Sequence, residues 1–163
     1  MARSAIHIVQ HRRRREQKTD YALRLAMLKS GTPRLVVRKS NAYVNGQIVA
    51  YAPAGDSVKV QATSRELRAL GWKHSCANAT AAYLAGMLMG KRAKEAGVTD
   101  AVLDIGLQRS TKGNVLYAYL KGTVEMGLRV AHSPDMLPTP ERATGKHINI
   151  DADFEALRKK IVG

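Results

Sequence analysis

The chain has 163 residues and carries 27 Lys and Arg against 13 Asp and Glu, giving a formal net charge of +14 and a pI of about 10.3. That length suits one domain able to bury roughly 70% of its unfolded surface, and a hydrophobic content of 45% excludes wholesale disorder. So large a positive charge repels itself unless a polyanion neutralises it, which makes nucleic acid the first candidate partner and an anionic membrane surface the second.

Most of the excess sits at the start. Residues 1–40 hold 11 basic residues and two acids, Glu16 and Asp20, a net of +9, whereas residues 41–163 contribute only +5. Residues 1–18 read as a basic arm centred on His11, Arg12, Arg13, Arg14 and Arg15. Four adjacent guanidinium groups leave no apolar stripe, which predicts an extended or irregular segment until it meets its partner. Thr19-Asp20 then offers a helix cap, followed by Tyr21, Leu23, Leu25 and Leu28 and a stop at Gly31. After Thr32-Pro33, the β-branched run from Arg34 to Lys39 predicts a strand. Tyr43 to Tyr51 predicts the next. Inside it, Asn45-Gly46 is a hairpin signal taken alone, but the short arms on either side equally permit a bulge or kink in one longer strand. Pro53 to Asp56 predicts a turn, and Val58 to Ala62 a third strand that completes an antiparallel meander.

Ser64 to Leu70 predicts a short helix ended by Gly71. A longer helix runs from about Cys76 to Ala96, with apolar residues at Ala81, Leu84, Ala85, Leu88 and Met89 and a stop at Gly97. Lys91, Arg92 and Lys94 in its last turns suit the helix dipole. Ala101 to Ile105 predicts a buried strand, Gln108 to Asn114 a polar, basic loop, Val115 to Met126 a helix, and Leu128 to Ala131 a last strand. Helix, strand, helix, strand implies a parallel crossover. Pro134, Pro138 and Pro140 predict an irregular stretch, and Asp151 to Val162 a terminal helix. The sum is a single-domain α/β fold. Its mixed sheet combines an antiparallel meander with parallel crossover strands and carries helices on its faces.

Several chemistries are disfavoured. The single cysteine, Cys76, forbids an intrachain disulfide and reads as a small apolar packing residue. The apolar run Ala5, Ile6, Ile8, Val9 is too short for a secretory signal and is broken by His7. Cys76 to Gly90 falls short of a membrane span, and its Gly86-x-x-x-Gly90 spacing points to close helix packing. His7 and His11 stand four apart, but no third ligand is near and Arg12 to Arg15 repel a cation. His74, His132 and His147 are isolated and read as structural or partner-facing. No cofactor or metal site is expected.

Two constellations need weighing. The loop Gly106-Leu-Gln-Arg-Ser-Thr-Lys-Gly113 fails the P-loop pattern, because Lys112 precedes Gly113 instead of following it. It keeps phosphate-binding chemistry: charge from Arg109 and Lys112, hydroxyls from Ser110 and Thr111, and a helix N-terminus just beyond. A plain solvated loop is the competing reading. Asp100, Asp104 and Glu125 raise a metal-dependent nuclease, but Asp100 and Asp104 share strand parity and lie about 13 Å apart on an ideal strand. Turn and ion-pair roles fit them better. The basic arm could likewise be a solvated tail or a localisation signal. Against this, Lys18, Arg24, Lys29, Arg34, Arg38 and Lys39 carry the charge into folded elements. Arg34 and Arg38 with Tyr43 and Tyr51 suggest a basic, aromatic sheet surface suited to phosphates and unstacked bases. Tail plus face favours structured RNA.

A series of motifs then resembles a known family. It comprises Arg12-Arg-Arg-Arg-Glu-Gln-Lys-Thr-Asp-Tyr21, Pro33-Arg-Leu-Val-Val-Arg-Lys-Ser-Asn41, Gln47-Ile-Val49, Glu66-Leu67 and Gly71-Trp-Lys73. Further on come Ala81-Ala-Tyr-Leu-Ala-Gly86, Leu103-Asp-Ile-Gly-Leu107, Lys112-Gly113 and Leu120-Lys-Gly122. In order and spacing, over roughly residues 10–148, the chain resembles the universal large-subunit ribosomal proteins that bind 5S rRNA, of bacterial L-eighteen and eukaryotic L-five type, in a compact archaeal form. Gln17 stands where Gly is usual, and Ala131 stands where Pro is usual. The resemblance implies a non-catalytic fold related to the ribonuclease H motif, with helices on both faces of the sheet. It implies a structural protein of the cytoplasmic ribosome that binds 5S rRNA in the central protuberance, touches 23S rRNA and neighbouring large-subunit proteins, and has no membrane partner. A metal-dependent nuclease on the related fold is the alternative. The division it implies is an RNA-binding arm (1–18), a 5S rRNA-binding domain (19–148) and a helical tail (149–163). Carried over position by position, the RNA-facing residues are Arg12, Arg13, Arg14, Arg15, Lys18, Tyr21, Arg24, Arg34, Arg38, Lys39, Ser40 and Asn41, joined by Arg109, Ser110, Thr111 and Lys112.

Overall fold

A computed structural model describes residues 9–163. The first part of the expected arm, residues 1–8 with His7 and the apolar run around it, lies outside the described residues. Strand β1 (Arg34–Lys39) sits at the centre of the architecture. Side chains alternate across a strand, and here Leu35 and Val37 are fully buried on one face while Arg34, Val36 and Arg38 take the other. β1 pairs antiparallel with β2 (Val44–Ala50), and β2 with β3 (Ser57–Thr63). On its other side β1 pairs parallel with β4 (Asp100–Asp104), which pairs parallel with β5 (Arg129–Val130). The order is β3-β2-β1-β4-β5, so the expected meander and parallel crossovers join in one mixed sheet.

Of the two readings of Asn45-Gly46, the structure takes the longer strand. Gly46 lies within β2, opposite Val37, and a Cβ there would overlap the Tyr119 hydroxyl. That hydroxyl donates to the Ala62 carbonyl at 3.0 Å and is fully buried. The glycine therefore serves close approach of an aromatic ring, not a turn.

The two crossovers contain α3 (Ala79–Glu95) and α4 (Val115–Glu125). Both run in the same direction across the sheet, so right-handed connections place both helices on the same face, over Leu35, Val37, Val44 and Ile48. The helices meet backbone to backbone. A Cβ at Gly86 would strike the Tyr119 carbonyl, and one at Gly122 the Tyr83 carbonyl. The Gly86-x-x-x-Gly90 spacing is thus a packing seam. α6 (Asp151–Val162) has the bounds the sequence predicts and buries Phe154, Leu157 and Ile161 beside α3. Lys91 Nζ donates to the Ile161 carbonyl at 2.9 Å, fixing its C-terminal end.

Three features refine the expectation. The short helix expected over Ser64–Leu70 forms as a 3₁₀ helix over Ser64–Arg68. The proline-rich stretch is more regular than expected. Pro134 opens a 3₁₀ turn and Pro140 opens α5 (Pro140–Thr144), where the missing N–H costs nothing at a first helical position. Helical cover of the sheet is uneven. The long helices share one face, while α2 (Tyr21–Leu28), capped by Asp20, stands beside the opposite face across an open cleft.

Candidate nucleic-acid interface

The open face of the sheet is built on an alternating chain of charges. Arg34, at the start of β1, is only 3% exposed. It donates to Asp104 Oδ2 at 2.7 Å and to Asp56 Oδ2 at 2.6 Å. Asp56, from the β2–β3 turn, also accepts from Arg24 of α2 at 2.7 Å, which ties that helix to the sheet. Asp104 accepts again from Arg38 at 2.8 Å and from the Gly106 N–H at 2.9 Å. Burial opposes ionisation of Asp104. Hydrogen bonds from Arg38 and Arg34, with the Arg38 charge, outweigh it and hold the carboxyl below the ordinary carboxylate range. Arg34 is therefore not among the solvent-facing cations, as its place in the motif suggested. It is a buried ion-pair centre, because two acids from distant loops converge on it. Arg38 divides its role, with its side chain 41% exposed while it binds Asp104.

Downstream, β1 ends in an exposed turn. Ser40 organises it: its hydroxyl donates to the Tyr43 carbonyl at 2.9 Å and accepts from the Tyr43 N–H at 3.1 Å. Lys39 and Asn41 project from this turn as exposed residues. The loop after β4 is clipped to the same place. The Lys39 N–H donates to Gln108 Oε1 at 3.0 Å, and Gln108 Nε2 donates to the Lys39 carbonyl at 2.7 Å. This paired bond brings two predicted clusters together, the Lys39–Asn41 turn and the Arg109–Lys112 loop. Arg109, Ser110, Thr111 and Lys112 are all exposed. Ser110 bonds the Tyr117 hydroxyl at 2.7 Å, and the Arg109 carbonyl accepts from Asn114 at 3.0 Å, so helix α4 anchors the loop.

The described part of the arm is not extended throughout. Arg12–Arg15 form one helical turn, α1, with all four side chains exposed. A single turn needs no apolar stripe when it buries no side chain. Arg13 Nε donates to Thr19 at 2.9 Å, and Lys18 pairs with Glu16 at 3.0 Å, both in solvent. Gln17 has φ +51°, a left-handed conformation that favours glycine. That turn redirects the chain into α2. Arg13, Lys18, Tyr21, Arg24, Arg38 and Gly106 then line one cleft together. Of the aromatic pair expected beside them, Tyr51 lines the cleft and Tyr43 packs against the core.

Sequence reasoning missed Asp56 and Gln108. Asp56 is one acid in a turn, and Gln108 is an uncharged residue in a basic loop. Neither signals a partner far along the chain. The acids considered for nuclease chemistry are apart and occupied. Asp104 binds two arginines, Asp100 binds Arg129 at 2.9 Å, and Glu125 binds Arg158 at 2.9 Å and the Tyr83 hydroxyl. A two-metal site needs carboxylates free to ligate. Among the described residues, no group of three potential metal ligands converges, and no helix is long and apolar enough to cross a membrane.

Comparison with known proteins points the same way. Residues 6–100 and 92–133 match the sequence model of the family described as ribosomal large subunit proteins 60S L5 and 50S L18. The chain is 52% identical over 148 residues to the large ribosomal subunit protein uL18 of Korarchaeum cryptofilum, covering 91% of this chain and 76% of that protein. It is 48% identical over 148 residues to the uL18 protein of Natronomonas pharaonis, covering 91% and 80%.

Proposed function

Because the chain belongs to the family of ribosomal large-subunit proteins 60S L5 and 50S L18, we propose that its exposed cations dock it on 5S rRNA. Its relatives are ribosomal proteins, a structural family and not enzymes, and its role is that of a structural constituent of the large subunit of the cytoplasmic ribosome. The carrying observation is the Gln108 clip. It joins the turn bearing Lys39 and Asn41 to the loop bearing Arg109 and Lys112, so that cations far apart in sequence form one exposed rim. Such a rim holds phosphates in register, while loops and aromatic groups read shape and unstacked bases.

In this reading residues 1–18 are a basic RNA-binding arm, 19–148 the domain that engages 5S rRNA, and 149–163 a helical tail. Arg12 to Arg15, Lys18, Tyr21, Arg24, Arg38, Lys39, Ser40, Asn41 and Arg109 to Lys112 face RNA. Arg34 supports them from below. Contacts with 23S rRNA and neighbouring proteins attach the complex in the central protuberance. The sheet order and the two crossovers support a ribonuclease H-related topology whose acidic positions are neutralised by arginine. The test is binding of the purified chain to isolated 5S rRNA across a salt series. Affinity should fall steeply with salt, as counterion release requires. A flat response would remove the cationic rim as anchor. Intact RNA after incubation with magnesium is the accompanying expectation.

A further inference from the structure

We propose that the cleft between the arm, α2 and the open sheet face receives one unstacked base of the bound RNA, with Tyr51 as its stacking platform. This rests on the RNA-binding reading and adds a specific nucleotide subsite to it. The cleft is open and measures about 690 Å³, ample for a single nucleotide. Its floor and rim differ in a way that selects the occupant. On the floor, Arg34, Arg38, Asp56 and Asp104 neutralise one another at 2.6–2.8 Å. Val36 and Val49 add apolar surface. A floor with its charges already paired suits a neutral, planar group better than a phosphate.

The rim is different. Arg13 and Lys18 come from the arm, where both are exposed and held only by solvent-facing bonds to Thr19 and Glu16, within reach of the phosphates on either side of an inserted base. Tyr51, just past the end of β2, is 58% exposed and lines the cleft, so its ring is open to a stacking partner. Polar capacity for a base edge is also present. Gln47 donates to Gln61 at 3.1 Å, and its own carbonyl oxygen accepts from no donor among the described residues. An aromatic face, an unengaged amide oxygen and flanking cations are what capture of a splayed-out base requires.

The experiment measures binding of the full chain to 5S rRNA for wild type, Tyr51→Ala and Tyr51→Phe, with chemical probing of base reactivity on each complex. Loss of the ring should weaken binding by roughly 5- to 150-fold, the range for one stacked base, and leave the salt dependence unchanged. Tyr51→Phe should stay close to wild type. One nucleotide protected by wild type and by Tyr51→Phe should become reactive in Tyr51→Ala. Equal binding by all three proteins, or an equal loss in both variants, overturns the subsite while leaving the RNA-binding reading intact. Failure of the wild type to bind 5S rRNA overturns that reading and the subsite with it. Circular dichroism of Tyr51→Ala separates loss of stacking from loss of fold, and a folded variant with unchanged protection also sinks the proposal.

Discussion

At the start of β1, Arg34 is buried and gives its guanidinium to Asp104 and Asp56. At the end of the same strand, Lys39 is exposed, and only its backbone is held, by Gln108. Both residues count equally toward the net charge of +14, yet only one is available to a phosphate. The difference lies in where the acids fall. Asp104 and Asp56 converge on Arg34, and Asp104 reaches along the strand as far as Arg38, but no carboxylate is bonded to Lys39 among the described residues. Charge composition therefore identifies a polyanion partner, but it overstates the charge offered to that partner.

The largest way to break this contrast is Arg34→Ala. Removing Arg34 leaves buried Asp104 with Arg38 as its one remaining cation and Asp56 with Arg24, and the expected cost is about 3 kcal/mol in urea unfolding. Lys39→Ala should stay within about 0.5 kcal/mol of wild type. Equal stabilities would mean that Arg34 is solvated and belongs with the surface cations after all.

Replacing Arg12 to Arg15 with Gln probes the exposed extreme. Stability should be unchanged, since all four side chains lie in solvent and bury nothing. RNA affinity should fall by roughly 10- to 100-fold at low salt. The slope of log affinity against log salt should flatten by up to about 3, at about 0.7 for each phosphate no longer neutralised. A loss of affinity with an unaltered slope would show that the arm acts through shape and not charge.

Much of the scaffold was legible because its signals are local. β1 and α6 have the bounds that β-branching and helical spacing predict, and Gly86 marked the helix seam. The site was only half legible. Strand alternation places Arg34 and Arg38 on one face, but nothing near Arg34 announces Asp104, which is 70 residues away. Gln108 has no charge or motif to mark it, and its partner is a backbone group. The role of Gly46 depends on Tyr119, which arrives only when α4 packs. Amphipathic periodicity does not reveal the helical turn at Arg12–Arg15, because the turn buries no side chain.

Asp104 offers a graded test of the buried end. Its folded carboxyl is held below the unfolded value of about 3.9. The stability it contributes is thus fully present above that value and is lost as pH falls through the folded one. Asp104→Asn should cost about 2 kcal/mol near neutral pH, through weakened bonds to two guanidinium groups. The gap from wild type should persist down to about pH 4 and close below it, where the protonated acid resembles the amide. A gap that stayed constant in stronger acid would place the loss in packing and not in charge.

The smallest effect belongs to Gln108, and it separates position from charge at the exposed end. Gln108→Ala removes two hydrogen bonds to the Lys39 backbone, each of modest net worth in a solvated setting, so stability should fall by about 1 kcal/mol. Every cation remains, so the salt slope should not change. Affinity for 5S rRNA should drop a few-fold, because the two cationic loops no longer hold a fixed spacing. Lys39→Ala should do the reverse, flattening the slope by about 0.7–0.9 with stability intact. Gln108→Glu is the sharper variant. It keeps the acceptor for the Lys39 N–H, loses the donor to the Lys39 carbonyl, and sets a carboxylate into the cationic rim. It should bind RNA more weakly than Gln108→Ala, most visibly at low salt where its charge is least screened. If both Gln108 variants bind like wild type, the rim works as independent charges, and the clip serves the fold alone.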